Sequence, residues 1–473
     1  MKKVIIIIAH FLLLFTLILT IGLKPRVGGS GFEKFTGELE HGATIYVLEN
    51  DTAIKQGYLN ELLTAFNEEY KDYNITARDA NMDQYSDLEK DGPYGHGPDV
   101  LYQANDRLMR YVEGKHIQPL PVDDLDTTAQ VSDNAWHPFR ANVGGKSYTF
   151  GVPVNIQGPL MFYRKDLIPV DFAVKYDVNN NGIPDMLESF NALYEFSQEL
   201  HTSDPKKFGY MKALADPYFS AGYLFSYGGY VFGNNDQDTK DIGFSNGDAV
   251  KGAKMIKDLA SIMDERSIDY TITPIAYSEL AKGNFFATIT TPDVHTMFLS
   301  EFSSHGVPSE NLGVTVVPKL PKSGNLNDKI MDFENELIDA NMMGGVHGYS
   351  MSSYTKYPNA SLAFIDYATK YEMIKRRQEL LGIAPARVDV AEEVKGLSLL
   401  INQNLAEGNI YIMPSNRAVG QIWTPLETLF QDIAKDPFRP GQGQPYKYVT
   451  DDDFLNGLKR VDTQIYDAIH TLG

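Results

Sequence analysis

The sequence predicts an α/β fold built as more than one lobe. Three observations point there. Strand-like and helix-like segments alternate along most of the chain. The 473 residues exceed the roughly 250–300 that one hydrophobic core usually serves. The composition, 43% hydrophobic and 12% aromatic, is globular rather than disordered or fibrous.

The chain opens on Lys2 and Lys3, followed by an apolar run from Val4 to Leu23 broken only by His10, two threonines and a glycine. About 20 apolar residues suffice to span a bilayer as a helix. A secretory signal has a shorter apolar region, ~7–15 residues, ending in a small-residue cleavage site. Here the run ends in Ile21-Gly22-Leu23-Lys24-Pro25-Arg26. It reads as an uncleaved membrane anchor, with a cleaved signal and a secreted product as the alternative. Basic residues on both sides leave the orientation open. Gly28-Gly29-Ser30-Gly31 reads as a flexible tether. Residues 1–43 are therefore a leading segment, and structured sequence is expected from about Thr44.

Thr44–Leu48 reads as a buried strand. Leu59, Leu62, Leu63, Phe66 and Tyr70 then recur at helical spacing, with Asn60, Glu61, Asn67 and Glu68 on the other face. Residues 74–77 and 99–102 read as strands, the second opened by Gly97-Pro98. This alternation predicts a mostly parallel sheet covered by helices on both faces. Residues 285–290 and 314–317 continue as strands, and residues 193–200, 249–263 and 359–371 as helices. A Pro- and Gly-rich loop at 437–445 precedes a last helix over 454–469. No short-period repeat or long low-complexity tract interrupts the chain.

Charge excludes several functions. With 42 basic against 62 acidic residues the net charge is −20, and no Lys/Arg stripe offers a nucleic acid its phosphate contacts. Cysteine is absent, which removes disulfides, thiolate metal sites, Cys nucleophiles and a lipidated-cysteine anchor.

One local motif stands out. Asp177-Val178-Asn179-Asn180-Asn181-Gly182-Ile183-Pro184-Asp185-Met186-Leu187-Glu188 fits D-x-[DN]-x-[DN]-G-x5-E without a mismatch. Ca2+ takes six to eight oxygens. Asp177, Asn179 and Asn181 would present side-chain oxygens, Ile183 its carbonyl, Asp185 a direct or water-bridged contact, and Glu188 both carboxylate oxygens. Gly182 permits the sharp turn. Two Asn in place of acids suit a weak extracellular site, about 10⁻⁴–10⁻³ M. An acidic turn capping the next helix is the plainer reading. A single loop suits a structural staple rather than a sensor.

Catalytic patterns are absent. There is no Gly-Lys-Ser/Thr phosphate loop and no His-Glu-x-x-His. The ten histidines are scattered; His137 and His347 read as structural. Ser350 and Ser352 lack the strand-turn-helix setting of a nucleophile elbow. No enzymatic activity is expected.

Five blocks carry a resemblance. They are Gly97-Pro98-Asp99-Val100-Leu101-Tyr102-Gln103-Ala104-Asn105-Asp106-Arg107; Tyr163-Arg164-Lys165-Asp166-Leu167; Asp216-Pro217-Tyr218-Phe219 leading to Tyr227-Gly228-Gly229-Tyr230; the stretch from Lys282-Gly283 to Thr291-Pro292; and Met413-Pro414 followed by Trp423. In this order the chain resembles the extracellular solute-binding proteins of the maltose/oligosaccharide type, from about Thr44 to about Ala434. The resemblance implies a two-lobed periplasmic-binding-protein-like fold (type II) with a ligand cleft between the lobes. It places a first lobe at 44–155 plus 340–381 and a second at 156–315 plus 383–473, with the calcium-type loop of 177–188 inserted in the second.

Residue by residue, the resemblance implies these ligand contacts. Asp51 falls near a family acid that bonds sugar hydroxyls. Asp106 and Arg107 match a carboxylate and a guanidinium that hydrogen-bond sugar. Asp216 stands where the family has Glu, Tyr218 where it has a stacking Tyr, and Trp423 where it has a stacking Trp. Departures are as informative. Gln103 and Asp293 stand where maltose binders carry Trp, Gln157 where they carry Glu, and Glu427 where they carry Arg. Two apolar platforms have become polar, so a ligand with more outward hydroxyls or amides is expected, and a ligand amino group if Asp293 reaches the cleft. The implied role is a monomeric extracytoplasmic receptor that closes on an oligosaccharide and delivers it to the transmembrane subunits of an ABC importer. A peptide or polyamine ligand, a carbohydrate-active hydrolase and a calcium-dependent adhesin are the alternatives.

Overall fold

Strand Thr44–Leu48 pairs in parallel with Thr76–Asp79, Ile45 opposite Ala77, and with Val100–Ala104, Val47 opposite Val100. The computed structural model describes residues 35–84, 86–269 and 273–470. The apolar run of residues 4–23 and the Gly/Ser tether lie outside them.

Two mixed sheets organise the chain. The first orders Ile410–Ile412, Met342–Ser352, Val100–Ala104, Thr44–Leu48 and Thr76–Asp79, with Ile117–Gln118 and Val152–Gln157 also pairing on Met342–Ser352. The second orders Leu312–Thr315, Leu160–Arg164, Phe285–Thr290 and Phe208–Tyr210. A mostly parallel sheet was the expectation, and the structure differs. Met342–Ser352 runs antiparallel to Val100–Ala104 and to Val152–Gln157, and Leu160–Arg164 runs antiparallel to both its neighbours. The cause is topological. A chain that crosses between two lobes and returns must bring strands back against the direction of those it left.

The crossings form the waist of the molecule. Val152–Gln157 belongs to the first sheet and passes through Gly158-Pro159 straight into Leu160–Arg164 of the second. Met342–Ser352 starts with Met342 and Met343 in one hydrophobic cluster and ends with Val346, Tyr349 and Met351 in the other. Bare backbone is required here, because a Cβ on Gly344 would lie 2.5 Å from the Gln157 carbonyl oxygen.

The helices cover these sheets with one apolar face each. In Asp451–His470, Phe454, Leu458, Val461 and Ile465 are buried at helical spacing. Asp451, Asp452 and Asp453 fill its first turn, where the helix dipole favours negative charge. The helix expected over 193–200 is longer, Phe190–Ser203, and starts where the Ser189 hydroxyl accepts the Asn191 N–H at 3.2 Å. The one expected over 359–371 is two, Pro358–Ala368 and Tyr371–Leu381. Lys370 between them is extended, and the Thr369 hydroxyl turns back onto the Ile365 carbonyl at 2.9 Å. Ordered contacts also begin before Thr44. The Glu40 carboxylate accepts the N–H groups of Asn359 and Ala360 at 3.0 and 2.7 Å, at the start of Pro358–Ala368.

The first lobe has a charged anchor. Arg377, from Tyr371–Leu381, makes two bonds to the Glu49 carboxylate, 2.8 and 3.0 Å, with both side chains buried. Tyr349 donates its hydroxyl to the same carboxylate at 2.6 Å, and the guanidinium lies 4.0 Å over the Tyr102 ring. Glu49 follows the first strand, so this pair ties the sheet to the helix behind it.

Candidate functional site

The first lobe's contribution starts where strand Val100–Ala104 turns into helix Asn105–Glu113. Asn105 is fully buried, and its amide is used on both sides. Oδ1 accepts the Val346 N–H at 3.1 Å; Nδ2 donates to the Met413 carbonyl at 3.0 Å and to Ser415 Oγ at 2.7 Å. The helix start is thereby fastened to the crossing strand and to the segment after Ile410–Ile412. Asp106 follows in the first turn. Burial pushes its carboxyl above the usual carboxylate range, against the pull of the Arg107 backbone and charge and of Arg110.

In the second lobe, Asp216 caps helix Pro217–Ser226 by accepting the Tyr218 N–H at 3.0 Å. Tyr218 Oη is buried and has no hydrogen-bond partner among the described residues. Burial pushes this phenol up, and the fields of Asp293, Asp216 and Asp106 push it further. Asp106 comes from the opposite lobe. One unpaired phenol thus feels the charge of three carboxylates, Asp106 from the helix after strand Val100–Ala104 and Asp216 and Asp293 from the other side. Of the ten residues nominated from sequence for ligand contact, Asp106, Asp216 and Asp293 are the three whose charge bears on a fourth, Tyr218.

The other nominees are more dispersed. Gln103 is buried; its Nε2 donates to the Gln84 carbonyl at 2.9 Å and its Oε1 has no partner among the described residues. Asp51 opens a short helix with its carboxylate exposed, 3.6 Å from Lys55, while its N–H donates to Gln84 Oε1 at 3.1 Å. Arg107 stands beside Asp106 in the helix. Gln157 ends its strand opposite Gly345, at the waist. Trp423 opens helix Trp423–Ala434, half-buried against the second core, with Glu427 one turn later.

Sequence reasoning passed over Asn105, Lys212 and Tyr277. Lys212 is buried with its ammonium 3.0 Å from the Phe219 ring centroid. Burial brings its pKa down to about 7, against the opposing field of Asp216. Tyr277 is half-buried, and its phenol is pushed up by burial and by Asp293. No pattern in the sequence marks these three, since their roles come from what packs around them. His347 stacks on Tyr102 at 5.8 Å, and burial with the nearby Arg377 brings its pKa down to about 4. It is a neutral core ring at physiological pH.

The loop at 177–188 is compact. The Asp177 carboxylate accepts the N–H groups of Asn181 and Gly182 at 2.9 and 3.1 Å. Asn181 Nδ2 donates to both Glu188 oxygens at 2.9 and 3.0 Å, and Asn179 Nδ2 to one at 3.2 Å. The buried Asp185 accepts the Val178 N–H at 3.1 Å, and burial raises its carboxyl. Ile183 donates its N–H to Asn181 Oδ1 at 2.7 Å. Among the described residues, no three His, Asp or Glu side chains are gathered as a metal cage.

The sequence model of the bacterial extracellular solute-binding proteins matches residues 50–374. The chain belongs to this family. As a solute-binding protein it has known relatives of similar length. A galactooligosaccharide-binding protein of Bacillus subtilis is 25% identical over 404 residues, covering 82% of this chain and 84% of the relative. The maltodextrin-binding protein MdxE of the same organism is 25% identical over 391 residues, 80% of this chain and 82% of the relative. The maltose-binding periplasmic protein MalE of Listeria monocytogenes, solved with maltose, superposes with a TM-score of 0.67 at 21% identity, over 91% of this chain and 98% of that one. The two-lobed α/β architecture of this solute-binding protein is therefore that of maltose-binding structures.

Proposed function

We propose that this protein is the extracytoplasmic receptor of an ABC importer and that it captures an oligosaccharide by hinge closure. The observation that supports this reading is the buried Tyr218 hydroxyl without a partner among the described residues, in the field of Asp216, Asp293 and Asp106. A sugar's hydroxyl rim needs such polar partners, and hydrogen bonds to charged groups contribute ~1.5–3 kcal/mol each. A ligand bridging the lobes favours the closed state only through contacts that the open state lacks. The relatives named for galactooligosaccharides and maltodextrins support a sugar ligand. Gln103 and Asp293 in place of aromatic platforms favour a hydroxyl-rich one. The reading is one of binding without turnover, with release to the importer's transmembrane subunits. The apolar run of residues 4–23 supplies the membrane anchor.

Calorimetric titration with galactotetraose and maltotetraose, paired with small-angle scattering, tests this. Micromolar binding, about −8 kcal/mol, together with a fall in radius of gyration is expected. A polyamine draws support from the same three carboxylates, so spermidine belongs in the panel. Binding of spermidine and of neither sugar would replace the sugar reading.

We further propose Ca2+ at the loop of residues 177–188, as a staple of the second lobe. Asn179 and Asn181 now face Glu188 with amide hydrogens. Either amide turned over would aim oxygen at that carboxylate, an arrangement a cation between them favours. Native mass spectrometry should show one bound Ca2+ that Glu188→Gln loses. An unchanged mass in millimolar Ca2+ would count against the site.

A further inference from the structure

Met211, Lys212, Tyr277, Thr288, Thr290 and Phe298 are among the residues that line a small hollow in the second lobe. Its free space is about 20 Å³, and the wider depression, with open solvent counted, about 330 Å³. The smaller figure decides what fits. A single water or hydroxyl group needs roughly 10–15 Å³ of such space, whereas a carboxylate brings three heavy atoms and a sugar ring many more.

The hollow adjoins the surroundings of Tyr218: the Phe219 ring that faces the Lys212 ammonium packs on Tyr218 at 5.1 Å, and Thr290 ends its strand three residues before Asp293. Lys212 feels Asp216, and Tyr277 feels Asp293. Both aspartates bear on Tyr218, as does Asp106 of the first lobe. The lining is chemically uneven. Met211 and Phe298 are apolar, and the Lys212 ammonium supplies three N–H donors and no acceptor. Its stem is held by burial and its charge by the Phe219 face, 3.0 Å from the ammonium to the ring centroid. The Thr288 and Thr290 hydroxyls can each donate or accept. A buried amine is costly to keep without a partner oxygen, and the free space admits a hydroxyl or a water and no larger oxygen group.

We propose that Lys212, which lines this hollow, is a specificity-determining residue and that its ammonium binds one hydroxyl of the captured oligosaccharide. The proposal rests on the oligosaccharide reading above and adds to it a single position on the sugar. A site built to hydrogen-bond a hydroxyl rejects the analogue lacking it, because its own buried polar groups are then left unpaired. Sugars with that hydroxyl removed or alkylated are excluded.

The test compares galactotetraose and maltotetraose with their singly deoxygenated analogues by calorimetric titration, on the natural protein and on Lys212→Met. On the natural protein one deoxy position should cost at least about tenfold in affinity. Lys212→Met should bind the parent sugar more weakly and bring parent and that analogue to within about twofold, while the ratios for other positions stay as they were. A gap that persists undiminished in Lys212→Met overturns the proposal and leaves the sugar reading intact. Binding of neither tetrasaccharide by the natural protein overturns both. Thr290→Val, which removes a hydroxyl from the same hollow, makes the same comparison if Lys212→Met does not fold.

Discussion

Arg417 pairs with Glu89 across 328 positions of sequence, with Nη2 2.9 and 2.6 Å from the two carboxylate oxygens. Glu89 lies on a short helix of the first lobe, next to the buried Leu88. Arg417 follows Asn416, whose amide donates to the Asp236 carbonyl of the second at 3.1 Å. If the lobes close on a ligand as proposed above, this pair is one that closure would bring together. Both side chains are substantially exposed, 52% and 36%, so the link is weak, about 0–1 kcal/mol. Arg417→Ala should raise the ligand dissociation rate up to about fivefold and make affinity less salt-dependent. Stopped-flow dissociation at two ionic strengths checks this; unchanged rates would mean that the pair forms equally in the open state.

The Arg377–Glu49 pair is the opposite case. It is fully buried, and Arg377 Nε has no partner among the described residues. Taking one member away leaves the other's charge stranded in the core. Arg377→Met should destabilise the first lobe by about 3–5 kcal/mol. Chemical denaturation would show this as a first unfolding step moved to lower urea. A loss under 1 kcal/mol would mean that Glu49 takes up a proton at little cost.

Lys212 sets a pH dependence whose sign can be worked out. Its folded pKa of about 7 lies below the ~10.4 of an unfolded lysine. Between these values the unfolded chain holds the extra proton, so stability rises with pH, by at most about 1.4 kcal/mol per unit. The opposing group is Asp216, which holds the amine charged. From pH 7.5 to 9 the natural protein should therefore gain stability relative to Lys212→Met. Urea midpoints at the two pH values give the comparison, and parallel curves would show an amine that stays charged throughout.

Much of the architecture is visible in the residues themselves. Thr44–Leu48 and Phe285–Thr290 are short apolar runs bounded by polar residues, and they are strands at the bounds expected. Met342–Ser352 is not visible in this way, although it is the longest strand. Its Met-Met-Gly-Gly-Val-His-Gly start carries a weak strand signal, because Gly344, which lets the Gln157 carbonyl approach, also weakens that signal. The site divides similarly. Asp106, Asp216 and Tyr218 were nominated through ordered blocks of resemblance, since paired carboxylates on separate lobes have no spacing to recognise. Lys212, in Met211-Lys212-Ala213-Leu214, looks like any solvated lysine. Its burial, with the Phe219 ring centroid 3.0 Å from the ammonium, comes from packing and not from a local pattern.

Tyr218 is where stability and function pull apart. Its Oη is buried without a partner, among carboxylates that already oppose its ionisation. An unsatisfied buried hydroxyl costs about 1–3 kcal/mol. Tyr218→Phe removes it and keeps the ring packed on Phe219, whose centroid is 5.1 Å away. The unliganded variant should be more stable by about 1 kcal/mol. A ligand oxygen seated beside Tyr218 would supply the missing partner, so the same substitution should weaken binding by about tenfold. Asp106→Asn should weaken it as well, through loss of the first lobe's charged acceptor, with little gain in stability. Thermal melts with and without galactotetraose measure both effects on one sample. A Tyr218→Phe protein that is neither stabilised when free nor impaired when liganded would show that this hydroxyl finds a water in the cleft and never meets the sugar.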